Sequence, residues 1–129
     1  MNPRNPYIES EKTIAEALES LGIAFAYEDT FFPTQVEIDE SSDRPVEYGF
    51  CPDFRIFASD EWPEQYLEVT ASKKRFGAQD KRNKIYNAEQ IYGIIVVLLC
   101  KVEYKIIEKK PRMLLSYLVP QQAVAAASR

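Results

Sequence analysis

Histidine is absent from this sequence of 129 residues. Without imidazole the chain has no histidine general base and no Ser-His triad, and most zinc sites are excluded. Cysteine is scarce as well, because Cys51 and Cys100 are the only two, and both fall in apolar runs that are typical of strands. Since free cysteine tends to be buried, we expect two buried thiols rather than a disulfide.

Long apolar segments and a positive net charge are also missing. The longest apolar run, from Ile94 to Cys100, is far shorter than the roughly 20 residues that a membrane-spanning helix needs. Residues 1–10 are polar and include prolines, which does not fit a signal peptide, so we expect a cytoplasmic protein without membrane contact. With a net charge of −4, binding of nucleic acid would need a local basic patch.

The residues that are present fit one globular domain over residues 1–129. The chain is 46% hydrophobic and 12% aromatic, and its length suits a single core. We expect this core at about residues 10–99, a helical extension at about residues 101–119 and a flexible tail at residues 120–129.

Apolar periodicity predicts two helices within the core. The first is capped by Ser10 and stopped by Gly22, with one apolar face between them. The second covers residues 78–92 and also ends before a glycine. Weaker patterns favour a helix at residues 103–109 and another that starts at Pro111.

Four strands are predicted around these helices. They cover residues 23–38 with an interruption at Pro33, residues 46–57, residues 65–70 and residues 94–99. A short polar connection makes the first two strands antiparallel neighbours. The strand–helix–strand segment that ends at the fourth strand is typical of a parallel, right-handed crossover. The predicted order is therefore helix, three strands, helix, strand and C-terminal helix, or αβββαβ followed by α.

Asp53 and Glu68 are acids in predicted strands with apolar neighbours. Successive side chains of a strand point to opposite faces, so two neighbouring strands can bring these carboxylates together beside the core. Paired carboxylates repel each other, and a hard cation such as Mg²⁺ relieves the repulsion. Two other interpretations stay open: Asp53 as a turn residue after a proline, and Glu68 as the partner of Arg55 in an exposed ion pair.

Glu11 falls on the apolar face of the first predicted helix, three residues before Ile14. It either interacts with the helix dipole at an exposed end or points into a site. Tyr27 and Glu28 are interpreted mainly as structural residues, with Glu28 orienting a neighbour.

Basic residues cluster in the chain after Glu68. Lys73, Lys74 and Arg75 lie in a predicted loop, and Lys81 and Lys84 follow on the second helix. Lys81 falls within the apolar stripe of that helix, and Lys84 lies at its edge. Both are otherwise explained as solvated lysines, because lysine is rarely buried without a partner.

Three acids follow one another along the predicted elements: Glu11 on a helix, Pro52-Asp53 on a strand and Glu68-Val69-Thr70 on a later strand. This arrangement resembles the PD-(D/E)XK nuclease superfamily. Residues 25–28 and 48–54 look similar to the TnsA-type transposase endonucleases and to small phage nucleases. The resemblance covers about residues 10–99 and implies an α/β, restriction-endonuclease-like core, in which helices flank a central mixed four-stranded sheet.

Thr70 departs from the family pattern, which usually has a lysine two residues after the second acid. A lysine there would hold or help to deprotonate the attacking water and offset charge on the phosphate. Branches of the superfamily carry this lysine on the following helix, which makes Lys81 and Lys84 the candidates. The spacing from Asp80 to Lys84, with Tyr86 nearby, makes Lys84 the preferred candidate, although the position on the apolar stripe supports Lys81.

The resemblance implies a nuclease that depends on Mg²⁺ or Mn²⁺ and hydrolyses phosphodiester bonds of DNA. Asp53, Glu68 and the main-chain carbonyl of Val69 would hold the metal, with Glu11 as an outer or second-metal ligand. One of the two helix lysines would position the attacking water, and residues 73–75 would contact the phosphate backbone.

The resemblance also bears on partners. A chain this small that cuts duplex DNA would act as a homodimer or as the nuclease subunit of a larger complex. Thr70 leaves an alternative open, because a site without its lysine fits a catalytically inactive module of the same fold. Such a module would bind nucleic acid or, given the acidic net charge, a protein.

Overall fold

The computed structural model describes residues 9–72 and 79–123. Its elements in chain order are helix α1 (Glu9–Ser20), strands β1 (Phe25–Tyr27), β2 (Phe32–Asp39), β3 (Arg44–Phe50), β4 (Phe54–Ile56) and β5 (Gln65–Val69), helix α2 (Gln79–Tyr92), strand β6 (Val96–Leu99), helix α3 (Lys101–Lys109) and a 3-10 helix (Pro111–Ser116).

The central sheet has four strands in the order β1-β4-β5-β6. Strand β4 is antiparallel to β1 and to β5, whereas β5 and β6 run parallel and are joined through α2. The prediction of an α/β fold with a mixed four-stranded sheet flanked by helices is therefore confirmed. Because β5 and β6 are parallel, the helix between them must cross over one face of the sheet.

The predicted first and second strands are wrong in their extent, since each is two strands in the structure. Residues 23–38 divide into β1 and β2, and residues 46–57 divide into β3 and β4. Strands β2 and β3 form a separate two-stranded hairpin. Pro33 lies inside β2 rather than interrupting it, and the register of the hairpin is irregular between Pro33 and Gln35. An apolar pattern continues across both breaks, so periodicity alone does not reveal that the partner strand changes.

The helices follow the prediction closely where local signals are strong, although Ser10 lies inside α1, which begins at Glu9, and is therefore not the cap that was predicted. Helix α1 buries Ile14 and Leu18, and Gly22 after it has a φ of 68°, a conformation that glycine adopts without strain. Helix α2 begins at Gln79, within one residue of the prediction. Helix α3 begins two residues earlier than predicted, and Pro111 starts a 3-10 helix. Residues 124–129 of the predicted tail lie outside the described residues.

The core lies on both faces of the sheet. On one face, α1, α3 and the 3-10 helix pack against the sheet, with Phe54 and Leu67 at the centre. On the other face, Ile85 and Ala88 of α2 pack against Leu98. Side chains alternate along a strand, so Glu68 of β5 points to the face that α2 covers. Its neighbours Leu67 and Val69 point to the opposite face.

The two cysteines are both free thiols, as predicted, but only one is buried. Cys100 is buried at the end of β6, whereas Cys51 is exposed. The prediction of burial is wrong for Cys51 because this residue lies in the break between β3 and β4 and not inside a covered strand. Among the residues that the structure describes, no helix combines the length and the apolarity needed to span a bilayer.

Candidate active site

Asp53 and Glu68 meet where the ladder between β4 and β5 ends. Phe54 pairs with Leu67 in this ladder. Asp53 directly precedes Phe54, and Glu68 directly follows Leu67, so both acids lie at the same end of the ladder. The two acids are only 8% and 7% exposed. Each carboxylate accepts a backbone N–H from the opposite segment: the Val69 amide donates to Asp53 Oδ2 at 2.7 Å, and the Asp53 amide donates to Glu68 Oε1 at 3.1 Å. These two bonds fix one oxygen of each carboxylate.

Arg55 has other partners than Glu68. Its guanidinium pairs with Asp29 at 2.7 Å and with Glu64 at 3.5 Å. The interpretation of Glu68 as part of an exposed ion pair with Arg55 is therefore wrong. Arg55 shares a face of the sheet with Glu68, because Arg55 pairs with Tyr66 in the register and Tyr66 lies two residues from Glu68. Its guanidinium is nevertheless directed to Asp29 and Glu64.

Among the lysines that the structure describes, Lys81 is the one whose ammonium pairs with an acid of this site. Its ammonium Nζ donates to the Val69 carbonyl at 2.9 Å and lies 3.3 Å from Glu68 Oε2. Lys81 stands in the first turn of α2, the helix that connects β5 to β6. A cation from the helix thus lies against the main chain at Val69, the residue before Thr70.

Lys84 does not contact the carboxylates in the way that Lys81 does. It lines a depression of about 270 Å³ together with Phe31, Gly49, Phe50, Cys51, Glu68 and Lys81. Within the described part of the chain, no ion pair joins Lys84 to an acid. Tyr86, which contributed to the pattern favouring Lys84, is exposed. The contacts therefore favour Lys81 as the lysine of the site.

Thr70 is buried and serves the end of β5. Its amide donates to the Leu99 carbonyl at 3.0 Å, and its hydroxyl accepts the Ser72 amide at 3.3 Å. These bonds close the strand against β6 and shape the turn that follows. Residues 73–75, the predicted contacts to nucleic acid, lie outside the described residues.

Glu11 extends the acidic site from the side of α1. It is 7% exposed, and its Oε1 accepts a hydrogen bond from the hydroxyl of Tyr27. One carboxylate oxygen from each of Glu11, Glu28 and Asp53 lies within 4.8 Å of the others. Of the two interpretations of Glu11, burial beside other acids favours the one in which it points into a site.

Glu28 is the acid whose position the sequence interpretation missed. It directly follows the pair of Tyr27 with Phe54, and its amide donates to the Asp53 carbonyl at 2.9 Å. Its φ of 46° turns the chain away from the sheet at this point. The sequence does show an acid immediately after a short aromatic strand. That this acid lies beside Asp53 follows from the pairing of β1 with β4, which the sequence does not reveal.

Electrostatics in this cluster favour added positive charge. Burial raises the pKa of Asp53 to about 7, and the nearby Glu68 carboxylate adds to this, while the Val69 amide and Lys81 oppose it. The pKa of Glu11 is raised as well, mainly by burial, with the Tyr27 hydrogen bond opposing the rise and with Asp53 and Glu28 adding to it. The acids thus repel one another, and Lys81 offsets only part of that charge.

The donor set of the cluster fits a hard divalent cation. Among the described residues, Glu11, Glu28 and Asp53 form the group whose carboxylate oxygens lie close enough together to share one ion, and Glu68 is not part of that group. Glu68 Oε2 and the Val69 carbonyl instead lie together around the Lys81 ammonium, next to Asp53. Mg²⁺ and Mn²⁺ prefer oxygen ligands of this kind, and a cation would relieve the repulsion that raises the pKa of Asp53.

In comparisons with known proteins, no family model, no curated protein and no solved structure matches the chain.

Proposed function

We propose that this chain is a metal-dependent nuclease that uses Mg²⁺ or Mn²⁺ to hydrolyse phosphodiester bonds of DNA. The observation that carries the proposal is the approach of Lys81 to Glu68 Oε2 and to the Val69 carbonyl, beside Asp53. An acid pair alone is common in proteins. An acid pair in which burial raises the pKa of Asp53, with a lysine from the neighbouring helix beside it, is a set of groups that suits phosphodiester hydrolysis.

In this proposal the metal is held by Asp53, Glu68 and the Val69 carbonyl, with Glu11 as an additional ligand and Glu28 beside it. A bound divalent cation supplies Lewis acidity towards a phosphate oxygen and lowers the pKa of a coordinated water. The amides of Val69 and Asp53 prepare the acids for this task, because they hold one oxygen of each carboxylate and leave the other oxygen for a cation.

Lys81 takes the role that the family pattern gives to a lysine at position 70. A long side chain on a helix can place an ammonium against the scissile phosphate, where it offsets the negative charge that builds up during hydrolysis. Lys73, Lys74 and Arg75 would contact the phosphate backbone of DNA, and cleavage of both strands would call for a homodimer or a larger complex.

The test combines metal binding with cleavage. We expect the wild-type chain to bind Mn²⁺ in calorimetry and to cut plasmid DNA, and we expect Asp53→Ala to lose both properties because it removes a central ligand. Asp60→Ala is the matched control, since Asp60 is an exposed acid in the loop before β5. This control should retain both properties.

The outcomes separate the proposal from its alternative. Absence of metal binding in the wild-type chain would contradict the nuclease. Metal binding without cleavage of duplex, branched or single-stranded DNA would instead favour an inactive module of the same fold, which binds nucleic acid or protein. Thr70 supports this alternative, because it is an uncharged residue that is hydrogen-bonded to Leu99 and Ser72.

A further inference from the structure

Lys81 contacts two oxygens that the proposed metal site also needs. Its ammonium lies 3.3 Å from Glu68 Oε2 and 2.9 Å from the Val69 carbonyl oxygen. Glu68 Oε1 is already engaged by the Asp53 amide at 3.1 Å. The ammonium therefore sits on the carboxylate oxygen that remains for a cation.

Burial explains why a cation must be present at this place. Glu68 is 7% exposed, and a buried carboxylate without a positive partner is strongly unfavourable. Among the ion pairs of the described residues, Lys81 is the partner of Glu68. In the metal-free protein the lysine thus neutralises the acid.

Lys81 can also leave this position. Its side chain is 39% exposed, compared with 9% for that of Glu68. A lysine has a flexible four-carbon stem, and in the first turn of α2 it can swing towards solvent without a change in the helix. An ammonium and a divalent cation that both contact Glu68 Oε2 and the Val69 carbonyl repel each other at close range and share the lone pairs of the same two oxygens, so each weakens the binding of the other.

We propose that Lys81 is a displaceable counterion. It neutralises Glu68 when no metal is bound, and it must leave Glu68 Oε2 and the Val69 carbonyl when a divalent cation binds. Binding of the metal therefore releases the ammonium, which becomes available to a substrate phosphate only in the metal-loaded protein. The inference rests on the metal site of the proposed function and adds an order of events to it.

The first experiment measures Mn²⁺ affinity by calorimetry in the absence of DNA, for the wild-type chain, Lys81→Met and Lys84→Met. Lys81→Met removes the competitor, so its affinity should rise by about tenfold or more. Lys84→Met removes a positive charge one turn along the same helix. Lys84 lines the same depression as Lys81 but forms no ion pair with Glu68. Its affinity should change by less than about threefold, since a more distant exposed charge is screened by solvent.

The second experiment keeps the wild-type chain intact, so it does not depend on the folding of a variant. Reductive methylation of lysines, read out by mass spectrometry, reports the accessibility of each ammonium. Mn²⁺ should increase the labelling rate of Lys81 several-fold and leave that of Lys84 unchanged. Equal labelling of Lys81 with and without Mn²⁺, in a protein that binds the metal, would overturn the inference.

The calorimetric outcomes distinguish this inference from the proposed function. Tighter binding by Lys81→Met than by wild type, or binding by the variant alone, supports the inference. Equal or weaker binding by the variant overturns the inference and leaves the metal-dependent nuclease standing. Binding by neither chain overturns both.

Discussion

Tyr27 connects the first helix to the acids of the sheet. Its hydroxyl donates to Glu11 and also interacts with Glu28, and its pKa is raised, mainly by burial and then by the bond to Glu11. A hydroxyl that stays protonated is a permanent donor. This bond lowers the pKa of Glu11 and so favours the ionised carboxylate in a buried position.

Tyr27→Phe should therefore destabilise the protein by about 1–3 kcal/mol, because Glu11 is left buried without its donor. Urea denaturation at pH 8 measures the free energy of unfolding. Tyr48→Phe is the matched control, since Tyr48 is an exposed residue of β3. The control should change stability by less than about 0.5 kcal/mol. Equal effects of the two substitutions would contradict the role given to Tyr27.

The hairpin of β2 and β3 packs against the rest of the described structure at its base. There Phe32 lies 5.1 Å, between ring centroids, from both Tyr66 and Tyr92, whereas Val36 and Ile38 farther out are 60% and 69% exposed. Gly49 allows the two strands to approach closely at this base. A Cβ at Gly49 would lie 2.1 Å from the Phe32 carbonyl oxygen, which is backbone and cannot move aside.

Gly49→Ala should lower the free energy of unfolding by about 1–3 kcal/mol or more, because the added methyl forces the two strands apart. Chemical denaturation again gives the measurement. Glu47→Ala, an exposed substitution in the same strand, should change stability by less than about 0.5 kcal/mol. If Gly49→Ala unfolded at the wild-type denaturant concentration, the close approach of the strands would not limit this position.

The acidic cluster links the stability of the whole molecule to pH. In the folded, metal-free chain the pKa of Asp53 is about 7, above its ordinary value of 3.8. Between these values the folded state keeps a proton that the unfolded state has released. Stability must therefore fall as pH rises through this window, and Glu11, whose pKa is also raised, acts in the same direction.

Measured in EDTA, the free energy of unfolding should fall between pH 5 and pH 7, with a slope of at most about 1.4 kcal/mol per pH unit for a single group. Asp39 acts in the opposite sense, because hydrogen bonds from the side chain and amide of Ser41 lower its pKa, but its window lies below 3.8. Asp53→Asn should flatten the profile. A stability that rises from pH 5 to pH 7 would contradict a raised pKa for Asp53.

Much of the fold could be predicted because its signals are local. The apolar stripe through Ile14 and Leu18 and the glycines after both long helices lie within a few residues of the structures they determine. The exchange of strand partners after Phe50 could not be predicted. The apolar pattern runs on from β3 into β4, and pairing is a contact between distant segments.

The sequence by itself determined which residues are available for the site: Asp53, Glu68 and Glu11 among apolar neighbours, and lysines on the helix that follows. Only the tertiary structure decided that Glu28 joins these acids, through the pairing of β1 with β4. It also decided that Lys81 rather than Lys84 contacts Glu68. Two lysines one turn apart differ little in sequence, but the packing of α2 against the sheet directs only one of them towards the end of β5.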